Sequence, residues 1–360
     1  YLATVEGLRI INVADPTAPF ETGFLDTANF TTGVDIVGDL AYVAATSEGL
    51  RIINIADPSA PAEIGFIDTM GHANGVAVDG NHAYVVDDGG LRVIDVSDPT
   101  SPTEEGFIDT PGKAKGVDVA GTHAYIADGE DSGLRIIDVS NPASPVEVGR
   151  FFISYWVYAV TVVDDIAYVA GHDLHIINVS NPATPTEVAV AETPGQAEDV
   201  AVAGHYAYVA DGQYGALNIY DVSAPATPTQ TGFYDAAGSV TLVSVAGDYA
   251  YIKERHYSPC SVECYSAWMR ILDVSDPAAP ATSGFFQPPS PGWGYSLADM
   301  EIAGSVAFTI DSVGLRIVDV SDPTAPTESG FFPSEYGRGV DVVGDTAYVA
   351  NKNTGLRIVD

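Results

Sequence analysis

Basic residues are scarce in this chain: fourteen lysines and arginines stand against forty-nine aspartates and glutamates, a formal charge of −35 over 360 residues. A surface of that sign repels phosphate backbones and anionic bilayers, which argues against nucleic acid as a partner and against membrane insertion. No apolar run reaches the ~18 residues of a membrane-spanning helix, and the chain opens at Tyr1 without a signal-like segment. It reads as a soluble protein, either a mature form or an excerpt of something longer. Only two cysteines occur, Cys260 and Cys264. They are too few for a disulfide scaffold, and their CxxxC spacing lacks the second pair that a structural zinc site needs. A local disulfide between them is the expectation, with free thiols as the alternative. There is no CxxCH for covalent haem, no Ser-His-Asp order, no GxSxG, no HExxH and no phosphate loop. The expectation is therefore a protein that is not an enzyme. A long 3.6-residue apolar period is also missing, which excludes an extended amphipathic helix.

What is present is one strand, copied. The stretch GLRIIDVS at Gly133–Ser140 recurs with its Leu or Met at Leu8, Leu50, Leu91, Leu134, Leu174, Leu217, Met269, Leu315 and Leu356. Spacings of 40 to 52 residues are the regular period of a propeller or solenoid. Each unit divides into four short β-rich runs, A (GVDVA), B (HAYIA), C (GLRIIDVS) and D (PVEVGRF). Gly-containing turns join A to B, acidic Gly-rich loops join B to C, and DPTAP-like loops join C to D. Proline in the last loop fixes φ and removes a donor, so it ends strand C. The reading is all-β: a β-propeller of four-stranded antiparallel blades, eight favoured, in a single domain over 1–360. Residues 1–32 supply a partial blade B-C-D, 33–332 seven full blades, and 333–360 a partial blade A-B-C. An eighth blade closes if the final A-B-C run borrows the first D strand, which leaves one B-C pair surplus. Incomplete terminal blades point to self-association, as a homopolymer or tandem array.

GLRIIDVSDPTAP and AYVADG also resemble the LVIVD-repeat family over essentially the whole chain. That resemblance implies a β-propeller, and an extracellular or cell-surface location in a bacterial or archaeal setting, without an assigned activity.

Variable residues cluster in the D-to-A and B-to-C loops, which share one face of a propeller. Phe30, Trp156, Tyr158, Trp293, Tyr295, Tyr336 and Arg338 make that face the candidate binding surface, for glycans or other surface proteins. Carboxylates at Asp35, Asp118, Glu301 and Asp341 share one strand-A register and would crowd a channel unless solvated or bridged by Ca²⁺. Asp128, Glu130 and Asp131 form a second, weaker calcium candidate, and no other cofactor is expected. Arg9, Arg51, Arg92, Arg135, Arg270, Arg316 and Arg357 fill one slot of strand C and are expected to be structural ion pairs, within a blade or between blades. The function that fits best is an extracellular scaffold assembling through its terminal blades. The alternatives are a Ca-dependent glycan-binding lectin or adhesin, and less favoured still a propeller glycan lyase or hydrolase acting through Asp118 and Glu301.

Overall fold

In a computed structural model, described over residues 8–12, 20–25, 33–45, 47–56, 62–129, 132–212, 215–258, 264–287, 297, 299–310, 314–333, 337–343, 346–351 and 358–359, the chain is all-β. Seven four-stranded antiparallel sheets follow one another, each in the order A-B-C-D along the chain. The third is representative, with A at Gly116–Ala120, B at His123–Ala127, C at Leu134–Asp138 and D at Val146–Phe151. An A-to-B turn needs one residue in the left-handed region. Gly121 supplies it at φ 62°, while Asp164 adopts φ 53° in the fourth blade, a role that aspartate tolerates better than most residues.

Strand C is apolar on both faces because both are covered. In the third blade Tyr125, Ala127, Leu134 and Ile136 pack on the fourth, and Ala124, Ile126, Ile137 and Val139 pack on the second. Alternating side chains thus enter two separate interblade cores. Strand D carries a bulge opposite Ile136 and Ile137, which aims Gly149 at the next blade. A Cβ on Gly149 would collide with the Pro182 carbonyl oxygen and lie 3.0 Å from Pro185 Cδ. Gly65, Gly106, Gly232 and Gly284 meet the following proline turn in the same way. The repeated DPxxP loop is therefore also the surface against which the preceding blade docks.

The eighth sheet is split. Strand A (Gly337–Val343) and strand B (Thr346–Asn351) come from the C-terminal part, while strand C (Leu8–Asn12) and strand D (Phe20–Leu25) come from the N-terminal part. The repeat pattern predicts that the N-terminal part lends its D strand alone; instead C and D arrive together, since the hairpin that joins them is already complete within one repeat. A second strand C, at Ile358–Val359, also pairs with strand B: Ala347 is the partner both of Ile11 and of Val359. Both copies are in the register that Ile53 adopts with Ala41 in the first blade. Two copies of one strand claim one edge.

Candidate functional site

The arginine slot is built within each blade. Arg135 Nε donates to Asp128 Oδ2 at 2.5 Å and its Nη1 to Glu147 Oε2 at 2.6 Å. Arg92 does the same with Asp87 at 2.6 Å and Glu104 at 2.7 Å. Asp87 and Asp128 are fully buried. Burial works against the charge of Arg92 and Arg135, but their hydrogen-bonded carboxylates outweigh it and hold both guanidinium groups above the ordinary arginine value. Arg316 pairs with Glu328 at 2.7 Å, Arg270 with Glu254 at 2.5 Å, and Arg51 with Glu48 at 2.6 Å. Phenylalanines from strand D cover several of these arginines; Arg92 and Arg316 lie 4.6 and 4.4 Å from the ring centroids of Phe107 and Phe331, within cation–π range. The arginine therefore ties strand C to strands B and D of its own blade. The link to the preceding blade runs through the aspartate, because Asp128 also accepts from Thr110 Oγ1 at 2.6 Å and from the Gly112 amide at 3.2 Å.

Inner strands are joined by a different carboxylate. Asp35 accepts from the Val78 amide of the next blade at 2.7 Å, and Asp118 from the Val162 amide at 2.8 Å. Asp199 plays the same part for Val243 at 3.0 Å, from a position two residues earlier in the strand. Burial pushes the Asp199 carboxyl up, against the pull of the Val243 and Val200 amides and of Lys253. The channel carboxylates Asp35 and Asp118 thus each commit at least one oxygen to a neighbouring backbone. Among the described residues, no group of three or more His, Cys, Asp or Glu side chains is placed to hold a metal ion.

At the end of the sheets where D-to-A and B-to-C connections meet, Asn74, Lys115 and Tyr158 occupy one repeat position, just before strand A. Their amides all bond to the end of strand B, at Val86, Ala127 and Ala170. The Trp156 and Tyr158 rings are stacked, 6.5 Å between centroids at 15°, and both are partly exposed. Lys115 Nζ lies 5.9 Å from the centroid of Trp156. Tyr155 is 62% exposed with φ 90°, and its ring is 5.0 Å from that of His172. Buried Ile153 and Val157 anchor the same loop. Glu198 follows at the next blade. Burial pushes its carboxyl up, opposed by Arg255 and Lys253. The Tyr158 hydroxyl is raised too, by burial first and then by the charge of Glu198. Among the remaining cations, Lys113, Lys115, Lys253 and Arg255 sit at this end, whereas the sequence has no lysine or arginine in any A-to-B turn or C-to-D loop.

Trp156 and Tyr158 are thus brought together, whereas Phe30, Trp293, Tyr295, Tyr336, Glu130, Asp131, Cys260 and Arg357 lie outside the described residues. Arg338 and Asp341 are on strand A and Arg9 on strand C of the split sheet, and Cys264 opens strand C of the sixth blade; their side chains also lie outside the described set. Glu301 is on strand A of the seventh blade, partly buried. Sequence reasoning missed the strand-D position that faces the arginine slot, although it stands twelve residues on in every complete blade: Glu63, Glu104, Glu147, Glu187, Gln230, Thr282 and Glu328. It also missed Glu198 and Asp199, because a bulge in the fifth strand A shifts them out of the repeat alignment.

Titration divides the carboxylates into two sets. In the C-to-D turns, Asp95, Asp98, Asp138, Asp221, Asp273, Asp319 and Asp322 are held below the ordinary 3.8 by hydrogen bonds from the Ser or Thr two residues on. Their contribution to stability is complete above that value and is lost as pH falls through the lower folded values. Glu63, Glu198 and Asp199 are raised by burial, so they favour the folded state more as they take up protons. Acidification also relieves self-repulsion in so negative a chain. The melting temperature is expected to rise as pH falls from neutrality towards the ordinary glutamate value of 4.5, then to drop once pH passes below the ordinary aspartate value of 3.8. Differential scanning fluorimetry across pH checks this, and a melting temperature that only declines from neutrality downward would contradict it.

The comparisons agree with this architecture. The LVIVD repeat model matches nine times, at residues 30–69, 70–110, 111–152, 157–193, 194–236, 237–256, 267–287, 298–332 and 336–360. Comparison with curated proteins finds no match. Among solved structures, the computationally designed Ika8 protein is similar with a TM-score of 0.70 and 8% identity, over 91% of this chain and 95% of that one. The periplasmic gluconolactonase PpgL of Pseudomonas aeruginosa has a TM-score of 0.60 and 10% identity, over 97% and 98% of the two chains. The beta-propeller domain of Cps50 (Swd1) from Myceliophteria thermophila has a TM-score of 0.55 and 10% identity, over 79% and 98%. At such identities the likeness concerns the fold alone. Nine family matches over a train of four-stranded antiparallel sheets make this chain a β-propeller of the LVIVD-repeat family.

Proposed function

We propose that the protein is a non-enzymatic extracellular scaffold whose subunits join by exchanging strand C at the split sheet. The observation that carries this reading is the double claim on Ala347, which pairs in one register with Ile11 and with Val359. One edge accommodates one partner, so the displaced copy is free to complete the same edge in another subunit. Near-identical blades and a strongly acidic surface suit a module built to be repeated and to stay soluble.

Light scattering coupled to size exclusion, with electron microscopy of the same fractions, tests the idea. Wild-type protein is expected to form species larger than the 37.6 kDa chain. Ile358→Pro, which removes a ladder donor from the C-terminal copy, is expected to leave monomers whose split sheet is completed by Leu8–Asn12. A wild-type protein that stays monomeric at every concentration would overturn the proposal. Cell fractionation of the native host, with the protein remaining inside the cell, would overturn the extracellular part.

A further inference from the structure

We infer that the stacked Trp156–Tyr158 pair, with Lys115 over the Trp156 ring, is a binding site for a neutral glycan. The site does not depend on strand exchange and lies away from the split sheet, on the third to fifth blades. It consists of two aromatic rings that lie within 15° of parallel and are only partly covered, so an outer ring face of the pair is an apolar surface of the kind that accepts the C–H face of a pyranose ring. Two charged groups belong to the same end of the sheets: Lys115, whose ammonium lies over the Trp156 ring at 5.9 Å from its centroid, and Glu198, near the start of strand A in the next blade. A hydroxyl both donates and accepts, so neighbouring sugar hydroxyls can serve the carboxylate and the ammonium together.

The platform is rigid before any ligand arrives. Val157 and Ile153 are buried beneath it, and the Val157 and Tyr158 amides are bonded to Gly129 and Ala170 at 3.2 and 2.9 Å. Tyr155 holds φ 90° in the same loop, a conformation that costs energy and persists only where its surroundings impose it. Preorganisation of this kind reduces the entropy lost on binding. Overall charge selects among ligands: at −35 the protein repels polyanions, so an uncharged polysaccharide fits and a uronate or sulfated one does not. Aromatic groups set among a few convergent polar ones are the usual make-up of a small-molecule site.

The test is isothermal titration, with tryptophan fluorescence as a second readout, against cellohexaose, laminarihexaose, mannohexaose and a galacturonate hexamer. At least one neutral hexaose is expected to bind. Trp156→Ala should weaken it by about tenfold or more, and Lys115→Met by a smaller factor, with melting temperatures close to wild type. Trp156→Phe, which keeps an aromatic face, should retain part of the affinity. Three results would overturn the assignment: no neutral hexaose binds the folded wild-type protein, binding is indifferent to Trp156→Ala, or the galacturonate hexamer binds more tightly than the neutral sugars. Oligomeric state, measured on the same samples, is expected to be the same for Trp156→Ala as for wild type, which keeps a failure here distinct from a failure of strand exchange.

Discussion

Replacing Arg135 by alanine is expected to cost about 3–5 kcal/mol of stability, the range for leaving one member of a buried ion pair without its partner. The loss arises mainly on the other side of the pair. Asp128 is fully buried, and without the guanidinium its charge is left with the Thr110 hydroxyl and the Gly112 amide. Two further variants separate the causes. Arg135→Met keeps much of the aliphatic packing and should still lose most of the stability. Adding Asp128→Asn to it removes the buried charge and should recover part of the loss. Urea denaturation followed by hydrogen exchange gives the readout, because a repeat array can unfold blade by blade. Equal stability of Arg135→Ala and wild type, or a further loss on adding Asp128→Asn, would reject this account.

Gly149→Val should be nearly as damaging, for a steric reason. The new side chain enters space held by the Pro182 carbonyl and the Pro185 ring of the next blade, and overpacking of that kind costs about 1–3 kcal/mol, sometimes more. The fourth blade supplies an internal comparison, because Ala189 stands where Gly149 stands and is accommodated against that blade's interblade core. Ala189→Gly is therefore expected to lose no more than about 1 kcal/mol. Thermal melts of the two variants should differ clearly. If Gly149→Val melts with wild type, strand D and the proline turn are not in close contact.

The repeat was legible because packing and text share a period. Leu134 and Ile136 face one neighbour while Ile137 faces the other, so every copy of strand C must be apolar on both sides and announces itself nine times. The ion pairs were only half legible. An arginine repeated in a buried strand requires a carboxylate, but the sequence does not say which. The spacing of twelve residues becomes meaningful once strand D is known to fold back beside strand C. Substitutions support the pairing: where the arginine becomes Asn218, the strand-D partner becomes Gln230, and the two bond at 2.9 Å. Where it becomes His175, Gly171 replaces the buried aspartate, and Glu187 alone remains at 2.7 Å.

The candidate binding face was legible as a concentration of unlike residues, and its geometry was not. Trp156 and Tyr158 are two apart and so project to one side, which the sequence allows one to see. Lys115 reaches Trp156 from another repeat, and the bulge at Glu198 takes that residue out of the repeat alignment. The partners of the strand-A carboxylates were hidden for a related reason. Alternation identifies the side of a strand, but whether Asp35 looks into open solvent or reaches the amide of Val78 depends on the distance between blades, which no single strand encodes.

An edge claimed twice has a consequence in time. In the strand exchange proposed above, a subunit that fills its own edge presents a partner strand in place at high effective concentration, and a neighbour's strand would gain entry only as that resident strand peels away. Joining and parting would then share one slow step, set by local unfolding of a few ladder hydrogen bonds, and a junction once formed would be protected by the same barrier that delayed it. Dilution would shift such a population only over the lifetime of a strand in its sheet, so its state at any moment records its past as well as its conditions.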